Sequence, residues 1–548
     1  MVSSRSQRPL APNWEALLWG LGYLGLRGAF LATHDGSYID EYLHVFAGQA
    51  LLDHGALPSF YVHEVYDRGW IISGLTGTAL GTLGRAMWAA KLVPMALGFL
   101  SLTCLWSLSQ SLWPAAANAR RALYIVFLLN PWTLFNHYYL RMYALYEFAL
   151  LCNLFVLLRL TASCLAQHRS WRNALPWVLA LAIGNAGLWL STRDAGAAPV
   201  ILAALLGLAY LWVAVVGHPE SARAQNKRAV IARSLGLLGA AMLALLVPEV
   251  RKGVSFWLTG ALRFTSSTEH KYAQLFFHNL LPWTALVAVG AIGSWRADRS
   301  PLGLPPLVQH GRRLISLVCG GLLLAHLASS PDLQITRGIL YLMPGFFLLG
   351  ILGAHMLWTI LNARLAPPLR GRPLTRASAA VVALLLLVIL HAYPSEFWTR
   401  PGLPSEISYI DYARAYASVR TECQGMRIID ASPSPHIGLF YGVKPHLAIA
   451  KLDHSRQDLM VHRIAGRLQT VFGGIPVARE LRFEPRARRD NRPAQAVARG
   501  GDCLMVRRPS AGRLLSKPFR RALRKGRPLA EFHNVTLYRF ASGVLRVQ

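Results

Sequence analysis

Apolar residues run almost unbroken from Trp14 to Thr33, give way to a polar and aromatic stretch, and then recur in membrane-length blocks as far as about Pro394. A bilayer core takes roughly 20 apolar residues per helical span, so this spacing predicts a polytopic membrane protein rather than a string of soluble domains. About eleven spans fit the pattern, near 14–33, 86–112, 121–136, 142–163, 174–192, 197–217, 229–248, 275–293, 314–329, 338–361 and 376–394. Basic residues then orient the chain. Arg5 and Arg8, Arg120-Arg121, His168 to Arg172, Arg223 with Lys227-Arg228, and the segments 296–313 and 364–376 fall on one side, the cytoplasmic side if the amino terminus is cytoplasmic. Facing outward are 34–70, the turn Asn136-His137-Tyr138-Tyr139, Thr192-Arg193-Asp194, 249–274 and 330–337, and an odd number of spans leaves the carboxyl-terminal region outside as well. The first run follows a basic start, as a secretory signal does. Its length is that of a full span and the charge alternation requires it, so it is read as retained; Arg27 near its outer end is read as snorkelling to the interface.

Beyond Ser395 the pattern changes. Pro394, Pro401 and Pro404 mark a linker, and the polar, Arg-rich residues 395–548 are enough for one soluble domain. A helix at Ile407–Arg420, strands at Met426–Ala431 and His446–Ala450, a short helix at Pro435–Tyr441, a helix at Gln457–Val471, and strands around Cys503–Val506 and Asn534–Phe540 predict a small α/β fold. Residues 484–500 read as a charged, solvated loop. The fold class expected is therefore mainly α and polytopic over residues 1–394, with an extracytoplasmic α/β domain over 395–548.

Composition agrees, with 53% hydrophobic and 15% charged residues. A net charge of +31 would suit a nucleic-acid partner in a soluble protein. In a membrane protein it reflects cytoplasmic loops and anionic headgroups, and no nucleic-acid partner is expected. Cys104, Cys152, Cys164 and Cys319 lie in apolar spans as small hydrophobes, whereas Cys423 and Cys503 are the two cysteines of the outer region, where an oxidising compartment would allow them to pair. No HExxH, CxxC or metal-spaced cysteine pair occurs, so a structural zinc is not expected.

The candidate chemistry begins at Ser37-Tyr38-Ile39-Asp40-Glu41-Tyr42-Leu43-His44, directly after the first span. Paired carboxylates beside lipid are costly to keep and suit proton transfer or ion binding. The bland alternative, an N-cap at Asp40, explains one acid and leaves the second acid and the histidine unexplained. An amphipathic helix over Glu41–Leu52, lying along the membrane surface, would set His44 one turn from the carboxylates. Arg141 opens the fourth span and Arg337 the tenth, each at an outer mouth. With Arg68, Arg193 and Lys271 on outward loops they suit recognition of a phosphate, which a planar guanidinium binds through paired hydrogen bonds.

The acid pair after the first span, Tyr66-Asp67-Arg68-Gly69, Arg141-Met142-Tyr143-Ala144-Leu145, and Arg337 ahead of Tyr341-Leu342-Met343-Pro344 together resemble the GT-C superfamily of membrane glycosyltransferases. The likeness is to the bacterial branch related to protein O-mannosyltransferases and lipid A aminoarabinose transferase, and it covers roughly 14–394. At Tyr66-Asp67-Arg68-Gly69-Trp70 the chain departs from the pattern of many relatives, which have a lysine followed by prolines. The resemblance implies an inverting transfer of a sugar from a polyprenyl-phosphate donor to an extracytoplasmic glycolipid, polysaccharide or protein, in the inner membrane. Asp40 or Glu41 would take the acceptor proton, Arg141, Arg337, Arg68, Arg193 and Lys271 are the candidate donor-phosphate contacts, and His44, Tyr139 and Tyr143 the candidate substrate contacts. A divalent metal across the acid pair is left open, since His44 by itself decides nothing. A lipid or polysaccharide transporter would place ionisable residues centrally in its spans, whereas here they cluster at outer ends. A membrane-anchored binding protein would make Asp40 dispensable.

Overall fold

The computed structural model describes residues 14–33, 37–55, 68–114, 116–165, 171–192, 197–216, 280–296, 305–327, 336–364, 409–431, 437–449 and 501–507, with shorter stretches at 59–60, 64–65, 273, 276–277, 460–464, 467–470, 477–478, 480–483, 495–498, 528–532 and 535–539. The chain divides into two compact units. The first comprises Met1–Ala29, Pro94–Tyr138 and Met142–Ser395, and the second Phe30–Val93, Tyr139–Arg141 and Glu396–Gln548.

The first unit is helical. It holds most of α1 (Trp14–Thr33), most of α4 (Met87–Leu112), α5 (Ala117–Leu129), α6 (Pro131–Asn136), α7 (Tyr143–Leu165), α8 (Trp171–Thr192), α9 (Ala198–Leu211), α10 (Leu281–Arg296), α11 (Pro306–Leu327) and α12 (Met343–Arg364). Among the described helices, five are long and apolar enough to cross a membrane by length and composition. Leu17, Leu18 and Leu21 on α1 and Leu179, Ile183 and Leu190 on α8 are exposed, a display of apolar surface suited to lipid. The chain is an integral membrane protein. The expected spans at 229–248 and 376–394 lie outside the described residues.

The run 121–136 is not one helix. Asn130 takes extended backbone and its side-chain oxygen accepts the N–H of Trp132 at 2.8 Å, ending α5 and capping α6, whose first residue is Pro131. Inside the unit, α10 and α12 cross backbone against backbone. A Cβ on Gly290 or Gly353 would overlap the carbonyl of Leu349 or Leu286, so the small residues permit the crossing.

The second unit joins the segment after α1 to the carboxyl-terminal residues. It contains β1 (Ser37–Tyr38), α2 (Ile39–His54), β2 (Ser59–Phe60), β3 (Glu64–Val65), α3 (Trp70–Leu83), the start of α4, and the elements from β4 (Tyr409–Ile410) onward. Among the described residues its largest sheet has six strands, in the order Ala530–Phe532, Val535–Arg539, Cys503–Arg507, Ile428–Ala431, Leu447–Ile449, Val477–Ala478. The last four run parallel, and the first two close one edge antiparallel. The central strands Ile428–Ala431 and Cys503–Arg507 are largely buried, as the inner strands of a parallel sheet are. The expected helix at Ile407–Arg420 is found at Tyr412–Glu422, capped by Asp411. The expected helix at Gln457–Val471 is instead two antiparallel strands, Met460–Ile464 and Arg467–Thr470, where the β-branched Val461, Ile464 and Thr470 favour extended backbone. Gln495–Ala498, inside the expected loop 484–500, pairs in parallel with Glu480–Phe483.

Candidate active site

The acid segment folds as the first turn of α2, with Asp40 and Glu41 where the helix dipole favours carboxylates. This helix is not the amphipathic surface helix expected from the sequence. Glu41, Tyr42, His44, Val45, Phe46 and Ala47 are all buried, so its first two turns are enclosed on several sides. Ser37–Tyr38 pairs with Tyr409–Ile410 just ahead of it. Tyr42 donates to or accepts from the Tyr441 hydroxyl at 2.6 Å and packs edge-on against Tyr412 and Phe440. Tyr416 continues this aromatic group and donates to Asp430 Oδ2 at 2.6 Å.

The two acids differ sharply. Asp40 is half-buried. Glu41 is wholly buried, with Lys91 Nζ of α4 at 3.2 Å from Oε1 and 3.5 Å from Oε2, and Oε1 also accepts the backbone N–H of Leu140 at 2.9 Å. Leu140 lies between Tyr139, which is buried, and Arg141, which is half-buried and whose N–H returns to the Tyr139 carbonyl at 2.8 Å. The structure thus ties the part of α2 that carries Asp40, Glu41 and His44 to the 139–141 segment that carries Tyr139 and Arg141. It adds Lys91, which the sequence reading missed. A lone lysine inside the apolar run 86–112 was the available signal, because an ion there needs a partner. A bridging divalent ion does not fit the acid pair, since the Lys91 ammonium already occupies Glu41, and among the described residues no three His, Cys, Asp or Glu side chains converge on a metal position.

His44 is buried beside Ser73 of α3, Nδ1 to Oγ 3.0 Å. That approach depends on Gly48 and Gly77, where helices α2 and α3 touch through backbone and a Cβ on either would overlap the other. Burial first, and the Arg141 charge second, hold the imidazole well below its ordinary range. The folded state therefore keeps His44 neutral, while the unfolded chain takes up a proton below about pH 6.5. Stability from this group is intact above that pH and falls as pH drops, by at most about 1.4 kcal/mol per pH unit. Melting of His44→Asn should accordingly respond less to acidification from pH 7.5 to 5.5 than wild type; equal responses would place the titration elsewhere.

The other expected contacts are dispersed. Arg68 is exposed in the turn before α3, where Gly69 takes a left-handed φ of 65°. Tyr143 begins α7 in the first unit and lies edge-on to Tyr146. Arg337 lies in a 3-10 turn, Thr336–Leu342, and in that turn Tyr341 is 3.2 Å from His326 Nε2. Arg193 and Lys271 lie outside the described residues. Arg27 does not snorkel. It is 2% exposed, donates to the Leu128 carbonyl at 2.8 Å and reaches His137 Nδ1, whose Nε2 meets Glu147 Oε1 at 2.9 Å; Asn136 donates to the other Glu147 oxygen at 2.6 Å. A surrounding bundle that offers these acceptors outweighs the pull of the interface.

No protein-family model matches the chain, and no curated protein matches it in sequence. Among solved structures, ArnT from Cupriavidus metallidurans bound to undecaprenyl phosphate is similar over 98% of this chain and 100% of that chain, at TM-score 0.50 and 12% identity. The apo state of the same protein gives TM-score 0.49 and 11% identity over 98% and 99% of the two chains. The chain shares the overall fold of this ArnT structure.

Proposed function

We propose that this protein is a membrane glycosyltransferase that moves a sugar from a polyprenyl-phosphate donor to an extracytoplasmic acceptor, with inversion. The observation that carries the reading is the half-buried Asp40 on a helix tied to the segment that bears Arg141. A proton acceptor on one segment and a guanidinium on the segment to which it is tied are the two groups that displacement of a phosphate by a hydroxyl requires. The solved structure of similar fold that holds undecaprenyl phosphate supports the donor class.

Asp40 accepts the proton of the acceptor hydroxyl as its oxygen bonds to the anomeric carbon. The bond from that carbon to the phosphate oxygen breaks, and the pair of electrons leaves with the polyprenyl phosphate. Arg141 and Arg337 meet the charge that grows on the phosphate, with Arg68, Arg193 and Lys271 as further candidate contacts; His44, Tyr139 and Tyr143 are assigned to the sugar or acceptor. One displacement inverts the anomeric centre. In this reading residues 1–394 form the catalytic membrane region of an inner-membrane protein and residues 395–548 an extracytoplasmic domain. Alkaline phosphatase fused after Val547 should then be active; an inactive fusion would reverse the topology.

The test is transfer by the purified protein in nanodiscs, supplied with polyprenyl-phosphate sugars and an envelope extract as acceptor. Release of polyprenyl phosphate coupled to glycosylated product is the expected result. Arg141→Lys should raise the donor KM by about tenfold, because lysine keeps the charge and loses the planar fork. An unchanged donor KM would mean that Arg141 only anchors a helix end.

A further inference from the structure

We propose that Glu41 and Lys91 form a positioning pair, which fixes the acid helix on the 139–141 segment and so aims Asp40 and Arg141, with neither partner acting as the proton acceptor. The proposal rests on the transferase reading and divides the labour within its acid pair.

Three observations carry it. Both side chains are almost wholly enclosed, 0% and 2% exposed, so neither is open to an acceptor hydroxyl. The Glu41 carboxylate is occupied from two directions, by the Lys91 ammonium and by the Leu140 N–H. A single carboxylate therefore joins three segments: α2, which carries Asp40, the first turns of α4, which carry Lys91, and the segment that carries Arg141. A proton arriving on Glu41 would leave the Lys91 charge buried without compensation, which makes Glu41 a poor base at the moment of transfer. Asp40, its neighbour, is half-buried and so is not enclosed as Glu41 is. Loss of one member strands the other as a buried ion. Loss of both, with glutamine retained at 41 to accept the Leu140 N–H, leaves no stranded charge.

The ionisable groups in the first two turns of α2 are Asp40, Glu41, Tyr42 and His44, faced by Lys91 from α4, by Arg141 from the 139–141 segment, and by Tyr412 and Tyr441 around Tyr42. Removing Lys91 leaves Glu41 as an unbalanced anion next to Asp40. The base then becomes harder to ionise, and the acidic limb of the kcat profile moves to higher pH.

The experiment compares wild type, Lys91→Arg, Lys91→Met, Glu41→Gln and the Glu41→Gln/Lys91→Met double variant in nanodiscs, in turnover against pH and in melting temperature. Lys91→Met should lower kcat at least tenfold and move the acidic limb up by about one pH unit. Lys91→Arg should retain most of the turnover, and the double variant should recover at least tenfold over Glu41→Gln and return the limb to its wild-type place. A double variant as inactive as Glu41→Gln would make Glu41 the base and overturn the proposal. An unmoved limb in Lys91→Met would reduce the pair to packing and overturn it too. Wild-type turnover and its loss in Asp40→Asn read the transferase assignment separately. Without turnover, the proposal stands or falls on melting: a double variant that melts no lower than either single supports the pair, and additive losses refute it.

Discussion

Asp40→Asn should cut sugar transfer by about 10²-fold or more, as loss of a general base does, while the protein is made and inserted at wild-type levels. Asparagine matches aspartate in shape and can keep a hydrogen bond at the first turn of α2, so the packing of Tyr42, Val45 and Phe46 is undisturbed. What it loses is the capacity to take a proton. The deficit should fall on kcat and leave the donor KM within about threefold, because the donor phosphate is assigned to guanidinium groups and not to this carboxylate. Raising the pH should not restore the rate, since the amide cannot ionise. The measurement is steady-state turnover over donor concentration at two pH values. Near-normal turnover would return the binding-protein reading, in which Asp40 is dispensable.

Sequence was enough to single out the acid segment, because two adjacent carboxylates next to a membrane span are expensive to keep there. It could not separate their roles. Asp40 and Glu41 are neighbours with the same chemistry, and what distinguishes them is Lys91, fifty positions later, together with the Leu140 N–H almost a hundred positions later. Local patterning carries no information on pairings of that separation. Arg27 failed for the same reason: its acceptors, Leu128 and His137, come from elements distant in sequence. The break at Asn130-Pro131 was legible, since asparagine followed by proline is a helix start, yet the surrounding apolar residues masked it. The strands Met460–Ile464 and Arg467–Thr470 were not legible because the charged and apolar residues there fit both the helical and the strand period.

The second large effect is expected at Cys423 and Cys503, which form a disulfide in the second unit with both residues almost fully buried. Cys423 closes the helix Tyr412–Glu422, and Cys503 opens a central strand, opposite Ile428 in its parallel neighbour and opposite Arg539 in its antiparallel one. The bond therefore ties a helix end to the middle of the six-stranded sheet across a sequence separation of 80. In the chain-entropy model a loop of that length is worth about 4.5 kcal/mol, a large share of the roughly 5–15 kcal/mol typical of a folded domain. Tyr441, the partner of Tyr42, lies within the closed loop, and β4, the partner of β1, belongs to the same compact unit as the acid helix. Reductant should thus lower the melting temperature of the wild-type protein and, at temperatures near that midpoint, its turnover as well. The Cys423→Ala/Cys503→Ala variant should melt at the lower temperature from the outset and show no further response to reductant. Thermal unfolding of both proteins with and without dithiothreitol decides it: a wild-type midpoint indifferent to reductant would mean that the two thiols are not joined in the protein as made.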